Sequence, residues 1–390
     1  MSKIDDLIQE FCPDGVEYKP IKKLAEVGTG SSNGNEAQED GKYPFFIRSQ
    51  TVKRKNEWEY DEEAIIIPGE GGIGEIYHYV NGKYAIHQRV YRIHFTDNSV
   101  DVKFAYHYFR AFFKNFIMRK AVSATVKSIR KPMIEEFMLP VPPLEVQREI
   151  VHILDSFTLL TAELTAELTA RKKQYEFYRD KLLSFGTNVK MEPLGNVCDL
   201  QAGKAIKANL ISDEKTSMAS IPCYGANGLR GYVNDYNQEG NKSIIGRQGA
   251  LCGNVCYATG KYYATEHAVV VTDKGYFNSR YLFHALIHAD LNQYKTAGAQ
   301  PGLSVSRLND VKIAVPNKDV QDRIADVLDN FEKICTDLNI GLPAEIEARQ
   351  KQYEYYRDLL LTFAETGSTL MTDRQTDRQT DRQTDRQTDR

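Results

Sequence analysis

Apolar residues recur at steps of three and four through two long stretches of this chain. In the first, Phe157, Leu160, Leu164, Leu168, Arg171, Tyr175, Tyr178, Leu182 and Phe185 form a near-heptad seam. In the second, Phe331, Ile334 and Leu338, then Ile346, Arg349, Tyr353, Tyr356, Leu360 and Phe363 do the same. Such spacing predicts two long helices, over about 143–185 and 317–363, whose seams pack on each other as an antiparallel coiled coil. Gly341-Leu342-Pro343 should kink or break the second, because proline lacks a backbone donor and clashes with the preceding turn. Outside the helices the period falls to two. Residues 64–95 and 243–272 alternate β-branched with aromatic side chains, and Asn81-Gly82 reads as a hairpin turn. Helical spacing returns near 102–119 and 279–294. The class this predicts is α+β: two mixed, strand-rich heads separated by two long helices.

The helical stretches are copies of each other. Arg171–Phe185 and Arg349–Phe363 match at 11 of 15 positions, and Val141–Phe157 and Val315–Phe331 at 8 of 17. A period of about 175 residues is too long for a solenoid, so each repeat is a whole domain followed by a helix. The heads diverge more, although Lys19–Gly30 echoes Glu192–Gly203. Within the first helix Thr161-Ala162-Glu163-Leu164 recurs as Thr165-Ala166-Glu167-Leu168. Each such unit adds about 6 Å to a helix while nearly preserving its apolar face, which makes it a length adjuster. From Thr372 the chain reads TDRQ four times and then TDR, a neutral run without apolar residues that predicts disorder.

At 390 residues and 42% hydrophobic, the chain can bury two ordinary cores. No window approaches a membrane span and the start lacks a signal-peptide layout, so a cytoplasmic protein is expected. The six cysteines are scattered without C-x-x-C pairs, as for reduced thiols. Cys252, Cys256 and His267 could supply three zinc ligands, but no fourth is evident and small buried side chains are the plainer reading. The net charge of −3 hides one contrast. Between Val102 and Ile134 lie eight basic residues and no acidic one, a local charge suited to a polyanion.

Catalytic motifs are missing from the sequence. Gly69-x-Gly71-x-x-Gly74 follows an apolar run, but what comes next reads as strand rather than helix, so a tight glycine turn fits better than a dinucleotide site. There is no phosphate-binding G-x-x-x-x-G-K-[ST], and no N-P-P-[YF] or D-P-P-[YF] of amino-methylating DNA methyltransferases. What remains is a binding surface. Base edges are read by Arg, Lys, Asn, Gln, Ser and Thr, and phosphate contacts set register. Candidates in the first head are Arg48, Gln50, Lys53, Arg54, Arg89, Lys127, Arg130 and Lys131. In the second they are Arg230, Arg247, Gln248, Lys295 and Arg307. The seam residues Phe157, Leu164, Leu168, Tyr175, Tyr178, Phe331, Tyr353 and Tyr356 are candidates for the helix pair and its partner surface.

The doubled blocks V-P-x-x-x-V-Q-x-x-I-x-x-[IV]-L-D-x-F and R-x-K-Q-Y-E-[FY]-Y-R-D, with the TAEL repeat, closely resemble the specificity subunits of type I restriction-modification enzymes. The resemblance covers about residues 1–365. It implies two target recognition domains, 1–142 and 187–316, each reading half of a bipartite site in double-stranded DNA. The intervening segments, 143–186 and 317–365, would be conserved spacer helices that bind two methylation subunits, with 366–390 a tail outside the pattern. No cofactor is expected on this chain; S-adenosylmethionine, ATP and Mg belong to the methylation subunits and the restriction motor subunits. Two alternatives stay open: a self-sufficient DNA methyltransferase or nuclease, and a tandem scaffold that binds only proteins.

Overall fold

A computed structural model describes residues 3–120, 128–249, 251–296 and 301–366. The TDRQ tail and Lys127 lie outside them. The chain forms two compact units: one is assembled from two stretches, the described residues up to Glu163 and from Glu347, and the other is the single stretch Leu164–Ile346 between them. The division falls inside the TAEL repeat. Each unit therefore joins one head to pieces of both long helical segments.

The first unit runs α1 (Lys3–Phe11), β1 (Tyr18–Pro20), β2 (Ala25–Thr29), β3 (Tyr43–Phe46), β4 (Lys53–Lys55), β5 (Tyr60–Pro68), β6 (His78–Ile86), β7 (Val90–Phe95), α2 (Val102–Tyr108), α3 (Lys114–Lys120), α4 (Lys131–Glu135), β8 (Met138–Pro140) and the start of α5 (Leu144–Leu183). Its six-stranded sheet has the order β2-β7-β5-β6-β3-β4, all antiparallel except β3 beside β6. The continuous apolar run of β5 is explained by burial on both faces. Ile65 and Ile67 enter a core with Phe104, Phe109, Val146, Ile150, Leu154 and Leu360, whereas Ala64 and Ile66 enter a second with Phe46, Tyr84 and Ile86. A π-turn (Phe109–Phe113) joins α2 to α3.

Asn81-Gly82 is not a hairpin turn. Both residues lie inside β6, opposite Glu63 and Glu62 of β5. Gly82 has φ +110°, and a few residues on the strand changes partner, from β5 to β3 at Ala85 and Ile86. The glycine serves a sheet corner, a use that local sequence does not separate from a turn. The chain reverses instead at 69–77, where Gly71, Gly72 and Gly74 all take positive φ, as a tight glycine turn requires.

The second unit repeats the plan: β9 (Met191–Pro193), α6 (Leu194–Val197), β10 (Cys198–Ala202), β11 (Ile221–Gly225), β12 (Gly228–Val233), β13 (Gln238–Glu239), β14 (Lys242–Gly246), β15 (Val255–Ala258), β16 (Lys261–Ala264), β17 (Ala268–Asp273), α7 (Ser279–His288), α8 (Val305–Asn309), β18 (Lys312–Ala314), α9 (Lys318–Thr336) and the start of α10 (Leu342–Thr366). Eight of its strands form two four-stranded sheets, β10-β17-β14-β15 and β12-β11-β16-β13, and β9 pairs with β18. The single strand β6 of the first unit corresponds to β15 and β16 here, parted at Thr259-Gly260. Val269 and Val271 of β17 face one core, and Ala268 and Val270 the other.

The second helical segment breaks where proline predicts. The Asp337 carboxylate accepts hydrogen bonds from the Asn339 and Ile340 N–H groups, and Pro343 sits in the first turn of α10, where a missing N–H costs nothing. A Cβ on Gly341 would fall 2.6 Å from Asp337 O and 2.7 Å from Lys333 O, so only glycine fits. The break ends the seam early. Ile334 and Leu338, expected in it, are exposed, and Cys335 is buried instead. Among the described residues no helix is long and apolar enough to cross a membrane.

Candidate nucleic-acid interface

Each head is fastened to the helices by the same polar device. Gln147 of α5 is fully buried; its Oε1 accepts from Asp101 N (2.8 Å), and its Nε2 donates to Ser99 O (2.7 Å) and Pro142 O (2.6 Å). Gln321 of α9 repeats this with Asn278 N (2.7 Å), Tyr276 O (3.1 Å) and Pro316 O (2.8 Å). Asp101 and Asn278 in turn cap α2 and α7 with their side chains. Two turns along, Asp155 accepts from Lys103 Nζ (2.6 Å) and His107 Nε2 (3.0 Å). Asp329 likewise accepts from Arg280 Nε (2.8 Å) and His284 Nε2 (2.7 Å). These glutamines, aspartates and histidines were not singled out from sequence. Gln and Asp, identical in both repeat copies on an otherwise apolar face, were the available signal.

The seam candidates fall into the two units. Phe157 stacks on Tyr356 in the first, and Tyr178 on Phe331 in the second. Tyr175 Oη lies 3.0 Å from His284 Nδ1. With Nε2 donating to Asp329, Nδ1 is the acceptor and the tyrosine the donor. The counterparts Tyr353 Oη and His107 Nδ1 are buried without a hydrogen bond. Leu164 and Leu168 are half-buried on α5. Phe177 and Tyr355, equivalent positions in the two copies, are 60% and 47% exposed.

In the first head, residues far apart in sequence meet at one corner. Arg48 Nη1 and Arg89 Nη1 both donate to Glu70 Oε2, at 3.0 and 2.9 Å. The loops carrying them are tied through backbone: Gly69 N donates to Arg89 O (2.9 Å) and Ile129 N to Gly69 O (2.7 Å). That last bond brings in the segment that precedes Arg130, the residue before α4. A recess of about 270 Å3 opens here, lined by Gly34, Ile47, Arg48, Glu70, Gly71 and His87. The Arg89 hydrogen bond, with Arg48 beside it, holds the Glu70 carboxyl below its ordinary range. Burial, then Arg48 and Arg89, push the His87 imidazole down, which favours its neutral form. Beside this corner Gln88 Nε2 donates to Asn33 Oδ1 (3.0 Å).

The other candidates of the first head do not gather there by side-chain contact. Gln50 and Lys53 are exposed on the β3–β4 connection and β4. Arg54 donates to Gly41 O (2.5 Å) and Lys42 O (2.7 Å), a bracing role for that hairpin. Lys131 lies 3.6 Å from Glu135 one turn on.

In the second head Arg247 and Gln248 occupy the equivalent corner. Arg247 N donates to His267 O (2.9 Å), Leu303 N donates to Arg247 O (2.9 Å), and Gln248 bridges to Gly302. Arg247 is half-buried with an unpartnered Nε, while Gln248 is exposed. His267 Nε2 lies 3.2 Å from Glu266 Oε1. Arg230 projects from β12 beside Gly225. Lys295 Nζ donates to Asn292 Oδ1 (2.8 Å), and Arg307 Nη1 donates to Tyr294 O (3.0 Å) and Lys295 O (3.1 Å), bracing the chain before 297–300.

The zinc reading of Cys252, Cys256 and His267 does not hold. The sulfur of Cys252 faces Asn292 Nδ2 (4.0 Å) and that of Cys256 faces Asn254 Nδ2 (3.8 Å). Among the described residues, ligand-type atoms converge only at His284, Asp329 and Glu332, and there Arg280 already pairs with both carboxylates.

Two heads of one plan, each with a polar corner on strand-end loops and each clamped to paired helices, define a protein with two equivalent recognition heads on a duplicated frame. The family model of the type I restriction modification DNA specificity domain matches residues 13–171 and again 187–348. The EcoprrI specificity subunit of Escherichia coli is 38% identical over 359 residues, which cover 83% of this chain and 89% of that one. A putative type I restriction enzyme specificity subunit of Haemophilus influenzae is 31% identical over 385 residues, 90% of this chain and 96% of that one. The fold is similar to the crystal structure of the type I system S subunit from M. genitalium, with a TM-score of 0.61, 18% identity, and coverage of 92% of this chain and 98% of that one. The chain belongs to the family of type I restriction-modification specificity subunits. It gives such a complex its DNA sequence specificity, each half recognising part of a bipartite site.

Proposed function

We propose that the target recognition domains are residues 1–142 and 187–316, and that each reads its half-site through the corner described above. The observation that carries this reading is that sequence-distant loops bearing polar residues are tied together at equivalent places in both heads, through the Glu70 side chain and backbone in the first and through backbone in the second. Arg48 and Arg89 in one head, and Arg247, Gln248 and His267 in the other, present the donors that base edges require. Lys53, Arg130, Lys131, Arg230 and Lys295 then contribute phosphate contacts, which set register and make binding salt-dependent.

The helical segments 143–186 and 317–365 dock two methylation subunits, one on each unit. Phe177 and Tyr355 support this, because two exposed aromatic rings at equivalent positions suit two copies of one partner. S-adenosylmethionine is held by those subunits, and ATP and Mg by motor subunits in the full cytoplasmic complex. Co-expression with the methylation subunits, followed by modified-base sequencing of the host genome, tests the reading: a bipartite methylated motif is expected. Exchange of residues 187–316 for another head should alter one half of it. Change in both halves, or methylation by the purified chain alone, overturns the assignment.

A further inference from the structure

The equivalence of the two corners can be traced bond by bond. Gly69 N donates to Arg89 O as Arg247 N does to His267 O, and Ile129 N to Gly69 O as Leu303 N does to Arg247 O. His87 N donates to Phe46 O as Thr265 N does to Tyr224 O. In this register Arg48, Glu70 and Arg89 correspond to Ala226, Gln248 and His267. The carboxylate is present where two arginines flank it, and an amide stands in its place where neither arginine is found.

Electrostatics gives a reason for this covariation. Two exposed guanidiniums on neighbouring loops repel each other, and each long side chain samples many rotamers. Glu70 links both through one oxygen, and charge-assisted bonds of this kind are about twice as strong as neutral ones. Each guanidinium has five N–H donors, of which the bond to Glu70 takes one. The backbone beneath is fixed as well, since Arg89 N donates to His87 Nδ1 (3.0 Å) while Arg89 O accepts from Gly69.

We propose that Glu70 is a positioning residue for base recognition. It holds Arg48 and Arg89 as a preset fork for the acceptors of a purine edge, and positions 48, 70 and 89, with 226, 248 and 267 in the second head, are a specificity-determining set. The inference rests on the half-site reading above. It adds that discrimination in the first half-site depends on a carboxylate that makes no base contact of its own.

The test uses the complex of the full chain with its methylation subunits. Glu70→Gln, Glu70→Asp, Arg48→Ala and Arg89→Ala are compared by modified-base sequencing and by binding to the motif duplex and its single-base variants at fixed salt. Glu70→Gln should cut discrimination at one or two positions of the first half-site by about 10-fold, with the second half-site and the gap unchanged. Glu70→Asp should restore part of it, and each arginine variant should relax the same positions. Unchanged discrimination in Glu70→Gln, or an affinity loss equal across all duplexes, overturns the proposal while leaving the half-site reading intact. Absence of any bipartite motif with the wild-type chain overturns both.

Discussion

Phe157 stacks on Tyr356 with ring centroids 5.3 Å apart and planes 21° from parallel, and Tyr178 stacks on Phe331 at 5.4 Å and 21°. Each pair joins the end of one V-P-x-x-x-V-Q block to a Q-Y-E-[FY]-Y-R-D block in the other copy. The repeats thus close each unit with parts from both helical segments, and the first unit is complete only when the chain returns to it at Glu347.

That arrangement makes a measurable prediction. Aromatic pairs contribute about 0.5–1.5 kcal/mol beyond their buried area. A double-mutant cycle of Phe157→Ala and Tyr356→Ala in urea denaturation should therefore return a coupling of about 1 kcal/mol. Hydrogen exchange should place the loss in the first unit, with Phe331→Ala doing the same to the second. Additive effects of the two single substitutions would show that the stack carries no energy of its own.

Gln147→Glu should be worse than an ordinary surface change by about 2–4 kcal/mol. A carboxylate still accepts from Asp101 N, but it has no hydrogen for the carbonyls of Ser99 and Pro142, which the glutamine Nε2 now satisfies. Gln321→Glu should cost as much through Tyr276 and Pro316. Urea midpoints at neutral pH check this, and values within 0.5 kcal/mol of wild type, the usual range of surface changes, would contradict it.

His284 should make the second unit acid-sensitive. Its side chain is fully buried against Asp329, Tyr175, Arg280, Arg179 and Glu332, and burial pushes its pKa from 6.5 down to about 4 despite the Asp329 hydrogen bond. The unfolded chain then binds a proton between those values that the folded chain excludes. The stability due to the neutral imidazole is fully present above pH 6.5 and is lost as pH falls toward 4, up to about 3 kcal/mol. Burial holds the Glu332 carboxyl above its usual value, which acts in the opposite sense. The test is accordingly a difference: His284→Gln should flatten the stability profile between pH 6.5 and 4 relative to wild type. An identical slope would assign the titration elsewhere.

One further TAEL unit after Leu168 would lengthen α5 by about 6 Å. DNA advances about 3.4 Å per base pair. If Thr161–Leu168 sets the distance between the recognition domains, the gap in the methylated motif should grow by one or two base pairs while both half-sites stay the same. Modified-base sequencing decides it, and an unaltered gap with full methylation would remove the spacer role.

Helix existence, the duplication and the break near Pro343 were legible because each depends on residues close together in the chain. Apolar steps of three and four, or a proline ring against the preceding turn, need no distant partner. Ile334 and Leu338 were misplaced because a seam read by period alone does not show where the helix stops. The site was legible only in fragments. Arg48 and Arg89 stood out as basic residues in loops, but Glu70 did not, since nothing in its own neighbourhood shows two arginines converging on it.

By itself, then, the sequence determined the α+β class, the two-copy plan and the apolar faces of the helices, all of which follow from local spacing and from matching one stretch to another. Tertiary structure decided which faces meet, that Gly82 bends a strand between two partners, and that Gln147 and Gln321 cap the backbone of another element. Those outcomes rest on non-local hydrogen bonds and burial, whose energy depends on what the rest of the chain brings within about 3 Å. A periodic pattern says that a face must be covered, and only the folded chain supplies the group that covers it.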